Sequence, residues 1–369
     1  MSKIKIYSDF SKRVINWQRT YGRNNLPWQQ NNDPYRIWLS EIMLQQTQVV
    51  TVIPFFLRFI KRFPNVATLA NASLDEVMIY WAGLGYYSRA RSLHRFAQCI
   101  ISDYQSCFPS DPAILASLPG VGRSTAAAIV CFAFNVPKPI LDGNVKRVFT
   151  RVFGIKGIPT EKKVTDQLWQ LAEKLVPTSG LAAAHYAQGL MDLGATICKR
   201  SKPICDKCPL SDICFAHLNQ CQNEYPEQRR GKTLPLKNSH VLILYTSSQV
   251  LLEKRPLSGI WGGLWSLPEI DFSANGGNEN NKSHTLSNFN LNNWLSKNTD
   301  GYIELTPINH AFTHFKLKIT PITLQIKKSN LYVMDSENKQ WVNWIDLKRF
   351  GMPAPIKKCL DQFCQAIKQ

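Results

Sequence analysis

The sequence predicts two folded parts, a mainly α part over residues 1–225 and an α+β part over residues 238–369, joined by a linker at 226–237. Three observations predict this. The chain has 369 residues, more than one core usually serves. Up to Cys221, apolar residues recur at spacings of three and four, with Gly or Pro punctuating the runs. Beyond it, β-branched alternation takes over.

In chain order, the helical segments are Ser11 to Tyr21, Pro34 to Gln48, Tyr86 to Tyr104, Ser124 to Phe134, Val145 to Phe153 and Ala182 to Ile197. Asp33-Pro34 reads as a cap with Pro at the first helical position. Pro226 to Lys237 is polar and basic, without an apolar period. His240 to Glu253 and Phe315 to Ile326 alternate as strands, Ser273 to Asn293 reads as a loose loop, and Leu360 to Ile367 reads as a closing helix.

The hydrophobic fraction is 44%, and no apolar run approaches the length that crosses a bilayer. Met1 to Phe10 lacks the apolar centre of a signal peptide, so a cytoplasmic protein with no membrane association is expected. The net charge is +18, and both parts share the basic excess. Such an excess favours a polyanionic partner, because Lys and Arg displace counterions condensed on phosphates.

Four of the ten cysteines cluster: Cys198, Cys205, Cys208 and Cys214, spaced C-x6-C-x2-C-x5-C. In a reducing compartment they are read as metal ligands rather than disulfides. Zinc sites usually come as two short knuckles, and only Cys205 and Cys208 form one. The wider gaps favour an iron–sulfur cluster, with zinc as the alternative.

Leu118-Pro-Gly-Val-Gly-Arg-Ser124 lies between a short helix, Pro112 to Ser117, and a longer one starting near Ser124. Gly120 and Gly122 permit a tight turn and a close backbone approach. Amides at a helix N-terminus then make an anion site, suited to a DNA phosphate. A plain helix–turn–helix corner is the alternative.

Two carboxylates stand out. Glu41 shares a helix face with Ile37 and Leu44, where an apolar setting would raise its pKa. A glutamate at the stripe edge reaching solvent fits the same pattern. Asp142 precedes Gly-Asn-Val-Lys and reads as an N-cap, a setting that favours the ionised form. One protonated and one ionised carboxyl is the division that cleavage of a glycosidic bond requires.

Together these motifs resemble the helix-hairpin-helix base-excision glycosylases with an iron–sulfur cluster, and among them the adenine DNA glycosylases of the MutY type. The strings that carry the resemblance are Trp38-Leu-Ser-Glu-Ile-Met-Leu-Gln-Gln-Thr-Gln48, Gly83-Leu-Gly-Tyr-Tyr87, Leu118 to Thr125, Ile140 to Arg147 and Met191-Asp-Leu-Gly-Ala195. The resemblance implies a helical glycosylase domain at 1–225 holding a [4Fe-4S] cluster, and a Nudix-like 8-oxoguanine recognition domain at 238–369. It implies a monomer that acts on double-stranded DNA with adenine opposite 8-oxoguanine or guanine, releasing adenine and leaving an abasic site.

The resemblance also implies roles at matching positions. Glu41 would protonate adenine and help activate water, and Asp142, with Asn144 nearby, would stabilise the oxocarbenium. Leu26, Trp28 and Gln188 would line the adenine pocket. Gln46 and Tyr86 would wedge into the duplex as adenine flips out. The hairpin with Gly120, Gly122 and Ser124, together with Lys146, would contact the backbone. Phe312, Thr313 and His314 would touch the oxidised base, with Thr313 where the family usually has Ser.

The main rival is a bifunctional glycosylase and lyase like endonuclease III, which carries a Lys where this chain has Ser124. A Nudix hydrolase is a second rival. After Arg255 to Trp265, however, Glu269 leads into an Asn-rich loop rather than the acidic box such an enzyme needs. A non-catalytic iron–sulfur DNA-binding protein is the third, and the carboxylate pair speaks against it.

Overall fold

The computed structural model describes residues 3–229, 233–270, 303–326 and 338–367. They form two compact units. The first comprises Met1–Asn71 and Ser92–Gly231, the second Ala72–Arg91 and Lys232–Gln369. The segment Ala72–Arg91 thus groups with the C-terminal unit, which a single cut in the sequence does not provide for.

The first unit contains α1 (Lys3–Tyr21), α2 (Pro34–Leu44), α3 (Val49–Arg62), α4 (Val66–Ala70), α6 (Ser88–Tyr104, most of its length), α7 (Pro112–Ser117), α8 (Arg123–Phe134), α9 (Gly143–Phe153), α10 (Lys162–Leu175), α11 (Gly180–Asp192) and α12 (Phe215–Leu218). Its core takes one face from each of α1, α8, α9, α10 and α11, with Phe10, Val14, Val148, Phe149, Leu168 and Leu190 buried together. Burying such stripes, rather than helix propensity, stabilises helices of this length.

Two helix boundaries depart from the sequence reading. The helix expected over Pro34 to Gln48 ends at Leu44, because Gln46 takes a left-handed φ of 57°. The helix expected over Ala182 to Ile197 becomes a π-helix from Leu193 to Ile197. The apolar period runs through both breaks, so periodicity could not place them. The sequence reading also passed over α3, whose interior Pro54 looks like punctuation.

In the second unit, α5 (Leu74–Trp81) accompanies an eight-stranded mixed sheet and a closing helix α13 (Ala354–Ala366). The strands are β1 (Leu236–Tyr245), β2 (Gln249–Lys254), β3 (Trp265–Ser266), β4 (Glu269–Ile270), β5 (Ile303–Glu304), β6 (Ile308–Ala311), β7 (Lys316–Gln325) and β8 (Lys339–Asn343). The path runs β3-β2-β1-β7-β5, with β1 and β7 parallel over their whole lengths and the other pairs antiparallel. Val241, Leu242, Ile243 and Leu244 are all buried, as in a strand covered on both faces. The loop expected at Ser273 to Asn293 lies outside the described residues. No helix among the described residues is long and apolar enough to cross a membrane.

Candidate active site and cysteine-lined recess

Glu41 sits inside α2, whose Ile37, Trp38, Leu39, Ile42 and Met43 are buried. Glu41 as a residue is half-buried, and protein crowds around its carboxyl. This desolvation, with the nearby charge of Asp142, raises its pKa from an ordinary 4.5 to about 8. The structure therefore brings together two carboxyls far apart in sequence. No side-chain hydrogen bond to Glu41 occurs among the described residues, so nothing there compensates its charge.

Asp142 caps α9 as expected, accepting from the Val145 amide at 2.8 Å and from Asn144 Nδ2 at 3.2 Å. The expectation that capping keeps it readily ionised needs correcting. Burial is the stronger influence, and it raises the Asp142 pKa despite these bonds and the Arg147 charge. The division of labour survives in relative form: Asp142 has three hydrogen-bond donations favouring its anion, while Glu41 has none.

Asn144 in turn accepts from Arg147 at 2.7 Å. Arg147 also donates to the carbonyls of Cys198 at 2.8 Å and Gly194 at 2.8 Å. A Cβ at Gly194 would lie 2.5 Å from the Asn144 Cβ, so only glycine lets these segments meet. Motif reading of Asp142 and Asn144 missed Arg147, although it stands one helical turn beyond them.

Asp192 was missed as well. It is fully buried and accepts from the Arg23 amide at 2.8 Å, from the Arg23 guanidinium at 2.6 Å, and from Gln188 Nε2 at 2.9 Å. This ties Gln188, on α11, to the segment that carries Leu26 and Trp28. Leu26 is half-buried and donates its amide to Gln29 Oε1, while Trp28 is buried edge-on to Phe56.

The hairpin between α7 and α8 forms as expected. Gly120 has φ 79°, and a Cβ there would lie 2.7 Å from the Ser92 side chain. Gly122 is the N-cap of α8 and supplies no side-chain bond to its first amides; a Cβ there would meet nothing within 4 Å. Two residues expected beside this hairpin are otherwise engaged. Ser124 Oγ accepts from the Leu141 amide at 2.9 Å, and Lys146 Nζ donates to the Pro159 carbonyl at 3.2 Å.

Gln46 and Tyr86 share an unusual feature: both are exposed non-glycine residues with left-handed φ, 57° and 48°. Such conformations are strained for L side chains and collect at functional sites. In the second unit, Phe312, Thr313 and His314 form the tip of the β6–β7 hairpin. The Phe312 amide donates to the Phe315 carbonyl at 2.9 Å, and their rings stack at 4.6 Å. Thr313 and His314 are exposed there.

Cys198, Cys205, Cys208 and Cys214 all line one small recess, partly open to solvent, with Arg151, His217 and Gln222 also on its wall. Among the described residues, no three metal-binding side chains close around a single ion. Arg151 is 2% exposed, and among the described residues it pairs with no carboxylate. It donates to the carbonyls of Lys199, Arg200, Gln222 and Tyr225 and approaches Cys198 Sγ at 3.4 Å. Burial pushes the Cys208 thiol up to about 12 and raises Cys205 and Cys214. Four thiolates need cationic partners in such a place.

Both parts of the chain resemble known proteins. Residues 39–174 match the HhH-GPD superfamily of base excision DNA repair proteins, and residues 240–362 match the NUDIX domain. The adenine DNA glycosylase of Buchnera aphidicola subsp. Acyrthosiphon pisum is 37% identical, covering 96% of this chain and 97% of its own. The chain belongs to the adenine DNA glycosylase family.

The Rattus norvegicus adenine DNA glycosylase is 30% identical over 97% of this chain and 78% of its own. The solved structure of a thermostable thymine-DNA glycosylase superposes with TM-score 0.53 at 31% identity, covering 59% of this chain and 97% of that one. In this adenine DNA glycosylase family chain, Glu269 is paired with Arg255 at 2.7 Å. Glu269, which follows the Nudix-like loop, is therefore held in an internal ion pair.

Proposed function

We propose that this chain removes adenine paired with 8-oxoguanine, and also with guanine, from double-stranded DNA. The N-glycosidic bond is hydrolysed, and an intact strand with an abasic site is left. The observation that carries this reading is the Glu41 carboxyl, raised to about 8 beside Asp142. A carboxyl at that value holds a proton at neutral pH and is matched to general acid work. Glu41 protonates the departing adenine and then assists the attacking water. Asp142, bonded to Asn144 and the Val145 amide, stabilises the oxocarbenium as its anion.

Leu26, Trp28 and Gln188 enclose the flipped adenine in this reading. Gln46 and Tyr86 occupy the gap in the duplex, and the amides at Gly120 and Gly122 grip a phosphate. Ser124 and Lys146 support that grip through the Leu141 amide and the Pro159 carbonyl rather than through free side chains. Phe312, Thr313 and His314 meet the oxidised base. Single-turnover release of adenine opposite 8-oxoguanine, guanine and thymine tests the whole. Fastest release opposite 8-oxoguanine is expected, and equal rates opposite all three would overturn the lesion preference.

Cys198, Cys205, Cys208 and Cys214 hold a [4Fe-4S] cluster in this proposal. The four thiols line one recess, the donor set is all thiol, and the spacing has only one short knuckle where zinc sites usually have two. The cluster supplies folding stability and ties together the loop at 198–214.

No amine stands at the Ser124 position, so Schiff-base chemistry on the sugar has no nucleophile there. Ser124→Lys should therefore create borohydride-trappable strand cleavage absent from the parent. It should also lose about 1 kcal/mol with the Leu141 amide bond. Efficient trapping by the unaltered protein would instead favour the endonuclease III-like reading.

A further inference from the structure

We propose that the loops at Gly262 and Gly351 in the C-terminal part hold the Tyr86 loop in shape, making Arg91 and Gly351 positioning residues for entry into the duplex. The proposal rests on the reading of Tyr86 as the wedge.

The loop between α5 and α6 is tightly folded. Gly83, Gly85 and Tyr86 all have left-handed φ, at 101°, 80° and 48°. One carbonyl, that of Gly85, receives Trp81 Nε1 at 3.1 Å from the end of α5 and Arg89 at 3.2 Å from the start of α6. The Arg89 guanidinium lies over the Trp81 ring at 5.4 Å and over the Tyr86 ring at 5.3 Å. Gly83 donates its amide to the Tyr87 hydroxyl at 3.3 Å. Tyr86 is left 41% exposed at the tip.

These bonds set the shape of the loop, but they hang on α5. A helix of eight residues is marginal by itself. Support for it and for the start of α6 comes from loops of the C-terminal part, within the same compact unit. Arg91 donates to the Gly262 carbonyl at 2.6 Å. A Cβ at Gly351 would lie 3.1 Å from the Met78 carbonyl group and 3.2 Å from the Ile79 amide, so the loop before α13 abuts the α5 backbone itself. The Met78 side chain in turn reaches the Gly263 position. Lys254, at the end of β2, pairs with Asp75 at 2.7 Å.

The three supports are unequal. The Asp75–Lys254 pair is 41% and 29% exposed and belongs to a class whose contribution is small. The Gly351 contact fixes α5 and the Arg91 bond fixes the first turn of α6, on the other side of the loop, more firmly. Both engage main chain that cannot rotate away, and a side chain at Gly351 would push directly on α5. The C-terminal unit on this account does more than meet the oxidised base. It also sets where Tyr86 stands, which the family's motifs assign to the helical part.

The test uses the full-length protein and a duplex with adenine opposite 8-oxoguanine. Arg91→Met and Gly351→Val are each made alone and on a Tyr86→Ala background. Single-turnover release is measured, together with amide hydrogen exchange over residues 82–88. Each anchor variant should slow release at least fivefold when Tyr86 is present and add little once Tyr86 is gone, and exchange at 82–88 should rise. Lys254→Met should change release less than twofold. Losses that multiply on the Tyr86→Ala background, or unaltered exchange at 82–88, would overturn the proposal. Tyr86→Ala alone reports on the wedge reading. Normal release there removes that reading, while the exchange measurement still decides the anchoring.

Discussion

Glu41→Gln should abolish adenine release while duplex binding persists. The glutamine keeps the shape of the side chain and loses the proton that the leaving base needs. Loss of a general acid costs on the order of 10²-fold to 10⁴-fold in rate. The parent enzyme should show a rate that falls as pH rises through about 8, where Glu41 ionises, and the variant should lack that limb. Near-normal turnover by Glu41→Gln in single-turnover assays would remove Glu41 from the mechanism.

The same change should stabilise the protein. In the unfolded chain Glu41 ionises near 4.3, whereas burial beside Asp142 delays this to about 8 when folded. The folded form therefore holds a proton that the unfolded form has released, and stability declines as pH rises between those two values. Glutamine does not titrate, so the variant should gain on the order of 2–3 kcal/mol at pH 7 and nothing near pH 4. Denaturant unfolding at both pH values checks the sign. An equal effect at pH 4 and pH 7 would mean that Glu41 is not desolvated in the native state. The trade of stability for activity is the one expected where a site is built around an unwelcome charge.

The second large effect concerns the cysteines. Cys205→Ala should lose iron and sulfide, unfold at lower temperature and release adenine at least about tenfold more slowly, the scale reached by disturbing even the outer shell of a metal site. The physical reason lies in the arginines. Arg151 is buried against four carbonyls, two of them inside the cysteine loop at Lys199 and Arg200. Arg147 bonds the Cys198 carbonyl with one part of its guanidinium and Asn144 with another. A loop that comes apart strands both cations and loosens the bonded chain that ends on Asp142. Iron analysis, visible absorption and thermal unfolding of the purified variant supply the check. A variant with the parent's unfolding midpoint and activity would show that the four thiols hold nothing the enzyme needs.

Much of the site could be read locally. Glu41 on its apolar face, Asp142 as a cap, the glycine hairpin and the cysteine spacing are short-range patterns, and short-range patterns follow from helix geometry and backbone sterics. The same reasoning failed where geometry is set at a distance. Periodicity carried α2 through to Gln48, whereas the chain turns left-handed at Gln46. Capping suggested a readily ionised Asp142, but burial by other segments raised its pKa instead. The bonds of Ser124 to the Leu141 amide and of Lys146 to the Pro159 carbonyl likewise had no signal in neighbouring residues.

The sequence by itself determined the helical first part, the strands of the second, the four thiols and the two carboxyls, because each is written in neighbouring residues. Only the tertiary structure decided that Glu41 meets Asp142, that Arg147 joins Asn144 to Cys198, and that Ala72–Arg91 belongs with the C-terminal sheet. Those outcomes depend on desolvation and on bonds between residues distant in the chain, and neither has a local signature. A carboxyl's protonation depends on how much water the whole fold removes from it.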